Sequence, residues 1–430
     1  MSHVAILGAG LGGVMLAYEM RAKLRREDCL TVVNLGTIYS FVPSNPWIAV
    51  GWRQPKDITV DLVPILKSRG IELRSEGAER VEPTLNRVRL NGGDIVDYDY
   101  LVIATGPDLA FDEVPGLGPS AHTQSVCQTD HALQAKATLD KLVKAPGPVV
   151  IGAVQGTSCY GPAYEFAFIL GAALRNARMR DQVPITFVTP EPYIGHLGLD
   201  GVGDTKGLME SAMRERHIKW ITNARTTKAD PDRLFVEQVN EDGSVKATHE
   251  LPFAFSMLLP AFRGVPAVVG IEGLTNARGF VIVDKHQRNP TFPNVFGLGV
   301  CVAIPPVGKA PLAVGVPKTG FMIESMVTAT AQNIAALLKG EEPKAVATWN
   351  AVCLADFGDD GIAFVAQPQI PPRNVNWASQ GKWVHAAKIG FEKYFLRKVR
   401  QGKADTFYEN LVLDMLGIRK LKEIHIDTAE

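Results

Sequence analysis

The chain has 430 residues, in which 45 lysines and arginines balance 45 aspartates and glutamates, so it is long enough for two or three domains and carries no net charge that would attract nucleic acid. Hydrophobic residues make up 46% and charged residues 21% of the sequence, which excludes wholesale disorder. The start lacks the pattern of a secretory signal, and prolines and Arg263 interrupt the apolar stretch 251–270, so we expect neither a signal peptide nor a transmembrane helix.

The first forty residues predict a βαβ unit of the Rossmann type. An apolar strand, Val4–Leu7, runs into a glycine-rich turn and a helix, and residues 30–34 form the next parallel strand. A Gly-x-Gly-x-x-Gly turn in this position allows the backbone and the helix N-terminus to approach a pyrophosphate. The expected dinucleotide contacts are Gly8, Ala9, Gly10, Leu11, Gly12 and Gly13, with Asn34 in place of the usual acidic ribose contact.

Later segments predict a second unit of the same kind and a return to the first. Residues 100–106 form another strand of the first unit, and the Pro/Gly-rich segment 145–148 precedes a second strand and turn. Residues 185–189 give the second domain its next parallel strand, and 235–239 and 253–259 continue that domain. A strand at 294–299 and a helix at about 319–338 return to the first unit. We predict domains at 1–110, 111–290, 291–345 and 346–430.

Several further segments resemble the flavin contacts of the glutathione-reductase-like superfamily, which implies two tandem Rossmann-like domains and FAD. The superfamily's acidic residue after the late strand is absent, because Val300 follows Gly299. A lysine at the start of the last helix would place a cation near a reduced flavin, although a solvated surface lysine is the alternative. The remaining expected FAD contacts are Pro43, Ala78, Thr105, Gly106, Gly299, Lys318 and Gly320.

The second glycine loop, Gly152 to Ser158, lacks the Gly-x-Gly-x-x-Gly pattern of a nicotinamide pocket. It presents Cys159 near the start of a helix instead, where we expect the helix N-terminus to lower the pKa of the thiol. The five cysteines include no Cys-x-x-Cys pair and no histidine at zinc-ligand spacing, so we expect no metal site.

Three of the cysteines and their surroundings resemble the bacterial membrane-associated sulfide:quinone oxidoreductases. The resemblance extends nearly end to end and is carried by Cys127, by Thr157–Pro162, by Trp349–Cys353, by the motifs Phe41–Trp47 and Tyr193–Gly198, and by the aromatic and basic C-terminus. It implies that Cys159 and Cys353 form a redox pair that oxidises hydrogen sulfide to sulfane sulfur or polysulfide. Cys127 would be the third family cysteine, which either handles polysulfide or attaches the flavin.

The same resemblance places His131 and His196 near the sulfide side, where a neutral imidazole could take a proton. A purely structural role is the alternative for both histidines. Glu165, on an apolar helix, is either a buried base with a raised pKa or a partner in a salt bridge.

The segment from Lys382 to Arg400 predicts an amphipathic helix, with apolar side chains at helical spacing and bases between them. Such a helix either packs on the protein or lies in a membrane surface, and the family resemblance favours a peripheral, monotopic protein at the cytoplasmic membrane. Ubiquinone or menaquinone would then bind from the lipid side, and whether the chain forms a homo-oligomer stays open. The candidate quinone contacts are Phe41, Phe391, Tyr394, Lys388 and Lys393.

Three other functions share parts of this pattern. A type II NADH:quinone oxidoreductase needs a nicotinamide pocket, which the Gly152 loop does not resemble. The flavin subunit of a flavocytochrome sulfide dehydrogenase is exported, so the expected lack of a signal peptide counts against it. A non-catalytic flavoprotein that senses sulfide or redox state would be reduced by sulfide but not rapidly reoxidised by quinone.

Overall fold

The computed structural model describes residues 1–404 and 425–426. The rest of the predicted C-terminal module, 405–424 and 427–430, lies outside the described residues. In chain order the α-helices are α1 (Leu11–Lys23), α2 (Asn45–Ala49), α3 (Pro55–Ile58), α4 (Val63–Ser68), α5 (Thr129–Lys144), α6 (Gly161–Asn176), α7 (Thr205–Glu215), α8 (Gly320–Leu337) and α9 (Lys382–Gln401).

The strands are short and fall into several separate sheets. In chain order they are β1 (His3–Leu7), β2 (Cys29–Val33), β3 (Ile38–Ser40), β4 (Thr59–Asp61), β5 (Glu72–Arg74), β6 (Ala78–Glu82), β7 (Arg87–Leu90), β8 (Ile95–Asp97), β9 (Tyr100–Ile103), β10 (Asp108–Ala110), β11 (Val149–Ala153), β12 (Ile185–Val188), β13 (Ile218–Ile221), β14 (Ala224–Asp230), β15 (Arg233–Val239), β16 (Val245–Pro252), β17 (Phe255–Leu259), β18 (Ala261–Arg263), β19 (Val295–Gly297), β20 (Ala345–Val346), β21 (Ala351–Asp356), β22 (Gly361–Gln367), β23 (Val375–Gln380) and β24 (His425–Ile426).

The first sheet is parallel and has the order β19-β9-β1-β2-β5. Its central strands are apolar without alternation because helices or loops cover both faces, as is usual in parallel sheets. Strand β19 comes from far along the chain and pairs with β9, and the following helix α8 packs against α1. The carboxyl ends of β1, β9 and β19 therefore meet at one edge, beside the N-termini of α1 and α8.

The second sheet is also parallel, with the order β13-β12-β11-β17. Strand β15, which contains residues 235–239, lies outside it in an antiparallel sheet with β14 and β16. Short connections join these three strands, and short connections permit only antiparallel pairing. Helix α6 follows β11 directly, as α1 follows β1, so the chain contains two Rossmann-like units.

The C-terminal part of the described chain is an antiparallel sheet, β21-β22-β23, followed by α9. Helix α9 packs across β21 and β22 and does not stand apart from the body. Its Val384, Phe395 and Val399 are all 0% exposed. These three apolar side chains of α9 therefore pack on the protein itself, and the association of this segment with a membrane stays a prediction.

The basic residues of α9 divide into two sets. Lys388 and Lys398 are buried and form ion pairs with Glu165 and Glu324, whereas Lys382, Lys393, Arg397 and Arg400 are exposed. Within residues 1–404, no helix combines the length and hydrophobicity needed to cross a membrane.

Candidate active site

The first glycine loop has the backbone geometry of a dinucleotide cradle. Gly8 has φ +105°, and a Cβ on Gly13 would lie only 1.9 Å from the Gly8 carbonyl oxygen, so both positions require glycine. A Cβ on Gly10 would meet no atom within 4 Å. The open space thus lies above Gly10, at the N-terminus of α1, where backbone N–H groups favour an anionic pyrophosphate.

Asn34 directly follows β2, as predicted, and its side chain is hydrogen-bonded within the protein. Its Oδ1 accepts a hydrogen bond from the Ala9 backbone N–H at 3.0 Å. Its Nδ2 donates to the carbonyl oxygens of Leu35 and Gly36 at 3.1 and 3.0 Å. Both amide hydrogens are used inside the protein, so Asn34 holds the glycine loop in place and has only oxygen lone pairs left for a ligand.

Several of the other predicted FAD contacts follow the carboxyl ends of strands in the first sheet or lie at the start of α8. Gly299 has φ +78°, and Thr319 caps α8 by accepting from the Met322 N–H. Burial lowers the pKa of Lys318, just before this cap, to about 8. Thr105 and Gly106 follow β9, and Gly320 opens α8. Pro43 lies in the turn before α2, and Ala78 begins β6. The open cradle at Gly10, two helix N-termini and a nearby cation fit an FAD molecule.

Three thiols, Cys127, Cys159 and Cys353, converge from different parts of the fold. Cys127 precedes α5, Cys159 precedes α6, and Cys353 lies on β21. Each is a free thiol, and the charge of Cys159 raises the pKa of Cys353 while that of Cys127 raises the pKa of Cys159. The three predicted family cysteines therefore lie close enough for the charge of one to affect the pKa of the next.

The pKa of Cys159 differs from the prediction. Burial raises it to about 11, and the Gly161 N–H at the start of α6 only partly opposes this effect. Burial likewise raises the pKa of Cys353 to about 12 and that of Cys127 to about 11. The expectation of a lowered thiol pKa is wrong because desolvation outweighs the helix N-terminus, so the reduced thiols are neutral near pH 7.

A buried ion pair adjoins the cysteines. Lys388 Nζ lies 2.9 Å from Glu165 Oε1 and donates to the Leu354 carbonyl oxygen at 3.2 Å. Burial raises the pKa of Glu165 although Lys388 opposes it, so the two alternatives for this residue, buried base and salt bridge, coexist. Lys388 was expected beside a quinone, but its contacts place it near the redox cysteines, where its charge lowers the pKa of Cys353.

The two predicted histidines have different surroundings. His196 is buried, its Nδ1 accepts from the Gly198 N–H at 3.2 Å, and Asp200 lies 4.0 Å from its Nε2. Burial lowers the pKa of both His196 and His131, which keeps each imidazole neutral near pH 7. His131 packs edge-on against Phe111 at 5.7 Å, and none of its described contacts is with a cysteine.

The predicted quinone aromatics form one cluster. Phe391 lies 5.9 Å from Phe41 and 4.5 Å from Phe395 between ring centroids, and Tyr394 lies 5.3 Å from Phe395. A Cβ on Gly320 would be 3.5 Å from Phe391, so the cluster adjoins the N-terminus of α8. Lys393 is exposed and outside it.

Sequence reasoning did not place Phe395, Phe321 or Lys398 in this cluster. Phe321 lies 6.2 Å from Phe391, and Lys398 Nζ lies 5.0 Å from the Tyr394 ring centroid while it pairs with Glu324 at 2.7 Å. Phe395 and Lys398 follow Phe391 and Tyr394 by four residues each, so the helical period could have identified them.

Comparison with known proteins agrees with this geometry. The family model "Pyridine nucleotide-disulphide oxidoreductase" matches residues 2–332. The sulfide-quinone reductase of Aquifex aeolicus (strain VF5) is 43% identical over 415 residues, which cover 96% of this chain and 94% of that protein. The chain belongs to the sulfide-quinone reductase family. Membership confirms the predicted fold class and the prediction of an FAD-dependent oxidoreductase.

Solved structures support the same assignment. The X-ray structure of the Aquifex aeolicus sulfide:quinone oxidoreductase superimposes with a TM-score of 0.94 at 41% identity, covering 100% of this chain and 98% of that one. NDH2 from Plasmodium falciparum in complex with NADH has a TM-score of 0.71 at 13% identity, covering 98% of this chain and 100% of that one. The second likeness shows a shared fold alone.

The glycine loop provides a test of the FAD cradle. We expect Gly10→Ala to leave the fold intact, because no atom lies within 4 Å of the added Cβ, but to weaken FAD binding by filling the cradle. Gly13→Ala should reduce both FAD content and stability, since its Cβ collides with the Gly8 carbonyl. Flavin absorbance per protein and thermal unfolding measure the two effects. Normal FAD affinity in Gly10→Ala would contradict the assignment of the cradle.

The Lys388–Glu165 pair predicts a strong coupling in stability. Lys388→Met should lower the free energy of unfolding by about 3–5 kcal/mol, because it leaves a buried carboxylate unpaired. The double variant Lys388→Met/Glu165→Gln should recover much of this loss. Denaturant unfolding measures the cycle, with exposed Lys393→Met as a control expected to change stability by less than about 0.5 kcal/mol. Additive effects of the two buried substitutions would refute the pairing.

Proposed function

We propose that this protein oxidises hydrogen sulfide to sulfane sulfur at a Cys159–Cys353 pair and passes two electrons through FAD to a membrane quinone. The observation that supports this most strongly is that the charges of the buried Lys388–Glu165 ion pair act on both thiols, where α6 of the second Rossmann-like unit contacts β21 of the C-terminal sheet. The relatives named for this reaction share the fold over nearly the whole chain.

The redox state of the cysteine pair determines which sulfur is the nucleophile. The oxidised Cys159–Cys353 pair contains no thiolate and is the electrophile, so the incoming hydrosulfide anion attacks it. Attack breaks the bridging S–S bond, forms a persulfide on one cysteine and leaves a thiolate on the other. Lys388 stabilises that thiolate, since its positive charge lowers the pKa of Cys353.

The second half of sulfide oxidation releases a proton. When the persulfide and the thiolate join in a trisulfide bridge, two electrons and one proton leave the sulfur atoms, and Glu165 accepts the proton. FAD, held by the cradle at Gly10, would supply the two-electron acceptor when bound. A quinone then takes two electrons and two protons, so hydrosulfide, one proton and quinone give one sulfane sulfur and one quinol.

Glu191 argues against nicotinamide as the electron donor. It lies just beyond β12, where an acidic residue would bind the ribose of NAD in a Rossmann unit. Here it is 0% exposed and accepts hydrogen bonds from Thr189 Oγ1, Tyr164 OH and the Leu197 N–H, at 2.6, 2.8 and 2.6 Å. Its carboxylate has three partners within the protein, so no acidic group is presented to a ribose.

The aromatic cluster around Phe391 is the proposed quinone site. It is apolar, adjoins the N-terminus of α8 and contains the buried Lys398–Glu324 pair at one side. Ubiquinone and menaquinone both have a planar ring that could pack between such side chains. Since these quinones dissolve in lipid, we propose a peripheral association of the protein with the membrane.

Anaerobic stopped-flow absorbance tests the proposed reaction. Sulfide should bleach the flavin band and a short-chain quinone should restore it, while NADH should have no effect. Cys159→Ser and Cys353→Ser should each abolish bleaching, and Cys29→Ser, at an exposed thiol on β2, should behave as wild type. Bleaching by NADH but not by sulfide would assign the chain to the NADH:quinone class instead. Bleaching by sulfide without reoxidation by quinone would indicate a sensor.

A substitution in the proposed quinone site should impair the reaction with quinone but not the reduction of the flavin by sulfide. Phe391→Ala should raise the quinone KM by up to roughly tenfold, because an aromatic contact contributes about 0.5–1.5 kcal/mol. Reduction of the flavin by sulfide should not change. Phe235→Ala, in the antiparallel sheet of the second domain, is the matched control. An unchanged quinone KM in Phe391→Ala would show that the quinone binds elsewhere.

A further inference from the structure

A second polar group, Asp356 with His385, lies next to the Lys388–Glu165 pair. Asp356 ends β21 and is 0% exposed. Its Oδ1 lies 2.8 Å from His385 Nδ1 and accepts from the Gly358 N–H at 3.0 Å, and its Oδ2 accepts from Trp47 Nε1 at 2.8 Å. The carboxylate is held in one orientation, with one oxygen directed at the imidazole.

Asp356 is joined to the sulfur site through Glu165. The Asp356 backbone N–H donates to Glu165 Oε1 at 2.8 Å, and the same oxygen accepts from Lys388 at 2.9 Å. Lys388 follows His385 by three residues on α9, so the two side chains share one helix face. Lys388 also donates to the Leu354 carbonyl oxygen at 3.2 Å, two residues before Asp356 on β21, and the charges of Glu165 and Asp356 both contribute to the raised pKa of Lys388.

His385 connects this group to the protein surface. Its side chain is 31% exposed and lines a cavity of about 290 Å³ together with Trp47, Trp52, Arg53, Asn176, Gly358 and Ile389. A cavity of this volume has room for several water molecules, at about 30 Å³ each in the liquid. The imidazole is therefore the point at which the buried carboxylates meet water.

We propose that the Asp356–His385 pair carries the proton released at the redox cysteines to this cavity. The inference rests on the proposed function, in which closing the trisulfide bridge sends two electrons to the flavin and one proton to Glu165. Protonation of Glu165 removes the counter-charge of Lys388. The excess proton then moves from this pair to the Asp356 carboxylate, which passes it to His385, and the imidazole releases a proton to water.

The charged groups around His385 come from four elements. Asp356 faces it from β21, Lys388 lies one turn later on α9, Glu165 on α6 contacts Lys388, and Arg53 lies after α2 with its guanidinium 4.5 Å from the Trp47 ring centroid. The Arg53 cation also pairs with Glu392 at 3.0 Å. A cation at the cavity wall favours the departure of a proton from the imidazole toward solvent.

The test uses the FAD-loaded chain, an indicator dye in weakly buffered solution and one equivalent of sulfide. His385→Asn keeps a donor toward Asp356 but cannot carry a proton, and it should slow both flavin reduction and proton release by about 100-fold, a usual contribution of a positioned proton carrier. Oxidation of reduced flavin by quinone should keep its wild-type rate. Wild-type rates of reduction and proton release in His385→Asn would overturn the relay.

Chemical rescue separates proton transfer from structure. His385→Ala opens a space toward the cavity, and added imidazoles should restore proton release, with a rate that increases with the pKa of the imidazole. A loss of rate without rescue, at unchanged FAD content and thermal stability, would overturn the proposal. If sulfide fails to reduce the flavin of the wild-type chain, the proposed function fails, and the relay with it.

A second readout does not depend on turnover. In protein labelled with ¹⁵N at histidine, the Nδ1 resonance of His385, assigned by its loss in His385→Asn, should show a hydrogen bond to a carboxylate. Asp356→Asn should shift this resonance while Glu324→Gln, at the other buried ion pair of α9, should not. An unshifted resonance in Asp356→Asn would contradict the Asp356–His385 contact on which the relay depends.

Discussion

The site depends on one buried ion pair, Lys388 with Glu165. Removing two charges from water costs free energy, which the short 2.9 Å distance between the ions offsets. Glu165 also accepts a hydrogen bond from a backbone N–H, and Lys388 donates one to a backbone carbonyl oxygen. Glu165 belongs to α6, the helix that begins just after Cys159. Lys388 belongs to α9, which packs on the strand that carries Cys353. Any movement that separated the two cysteine-bearing elements would leave both charges unpaired, so the pair aligns the thiols.

Helix α9 links the two halves of the proposed reaction. Lys388 is on the sulfur side, and Phe391 and Phe395 are in the aromatic cluster, within seven residues or about 10 Å along the helix axis. A second buried pair, Lys398 with Glu324, fixes the same helix to α8 at 2.7 Å. One rigid element thus sets the distance between the two proposed sites.

Local signals were readable from the sequence, and long-range partners were not. The glycine loop is predictable because its turn and helix depend on neighbouring residues alone, and Gly8 and Gly13 require glycine for contacts within that loop and with the adjacent strand. The position of Lys388 was not predictable, since a lysine on an amphipathic helix normally faces water and its partner Glu165 is 223 residues away. The prediction of a lowered pKa for Cys159 was wrong for a related reason. The helix N-terminus that lowers the pKa is visible in the local sequence, whereas the burial that raises it comes from the tertiary fold. An asparagine such as Asn34 can contact a ligand, but only the folded loop shows that its amide hydrogens are donated to backbone carbonyl oxygens.

The second Rossmann-like unit explains where the sulfur chemistry lies. In a nicotinamide-binding unit the loop after the first strand and the acid after the second strand would together bind the dinucleotide. Here the loop after β11 carries Cys159, and the acid, Glu191, accepts from Tyr164 OH and from the Leu197 N–H next to His196. The groups that would hold a nicotinamide cofactor are thus replaced or turned inward. The loops after β11 and β12 carry Cys159 and His196 instead. A cysteine pair that has reacted with sulfide would replace NADH as the electron donor in this position, because both use the same edge of the same sheet.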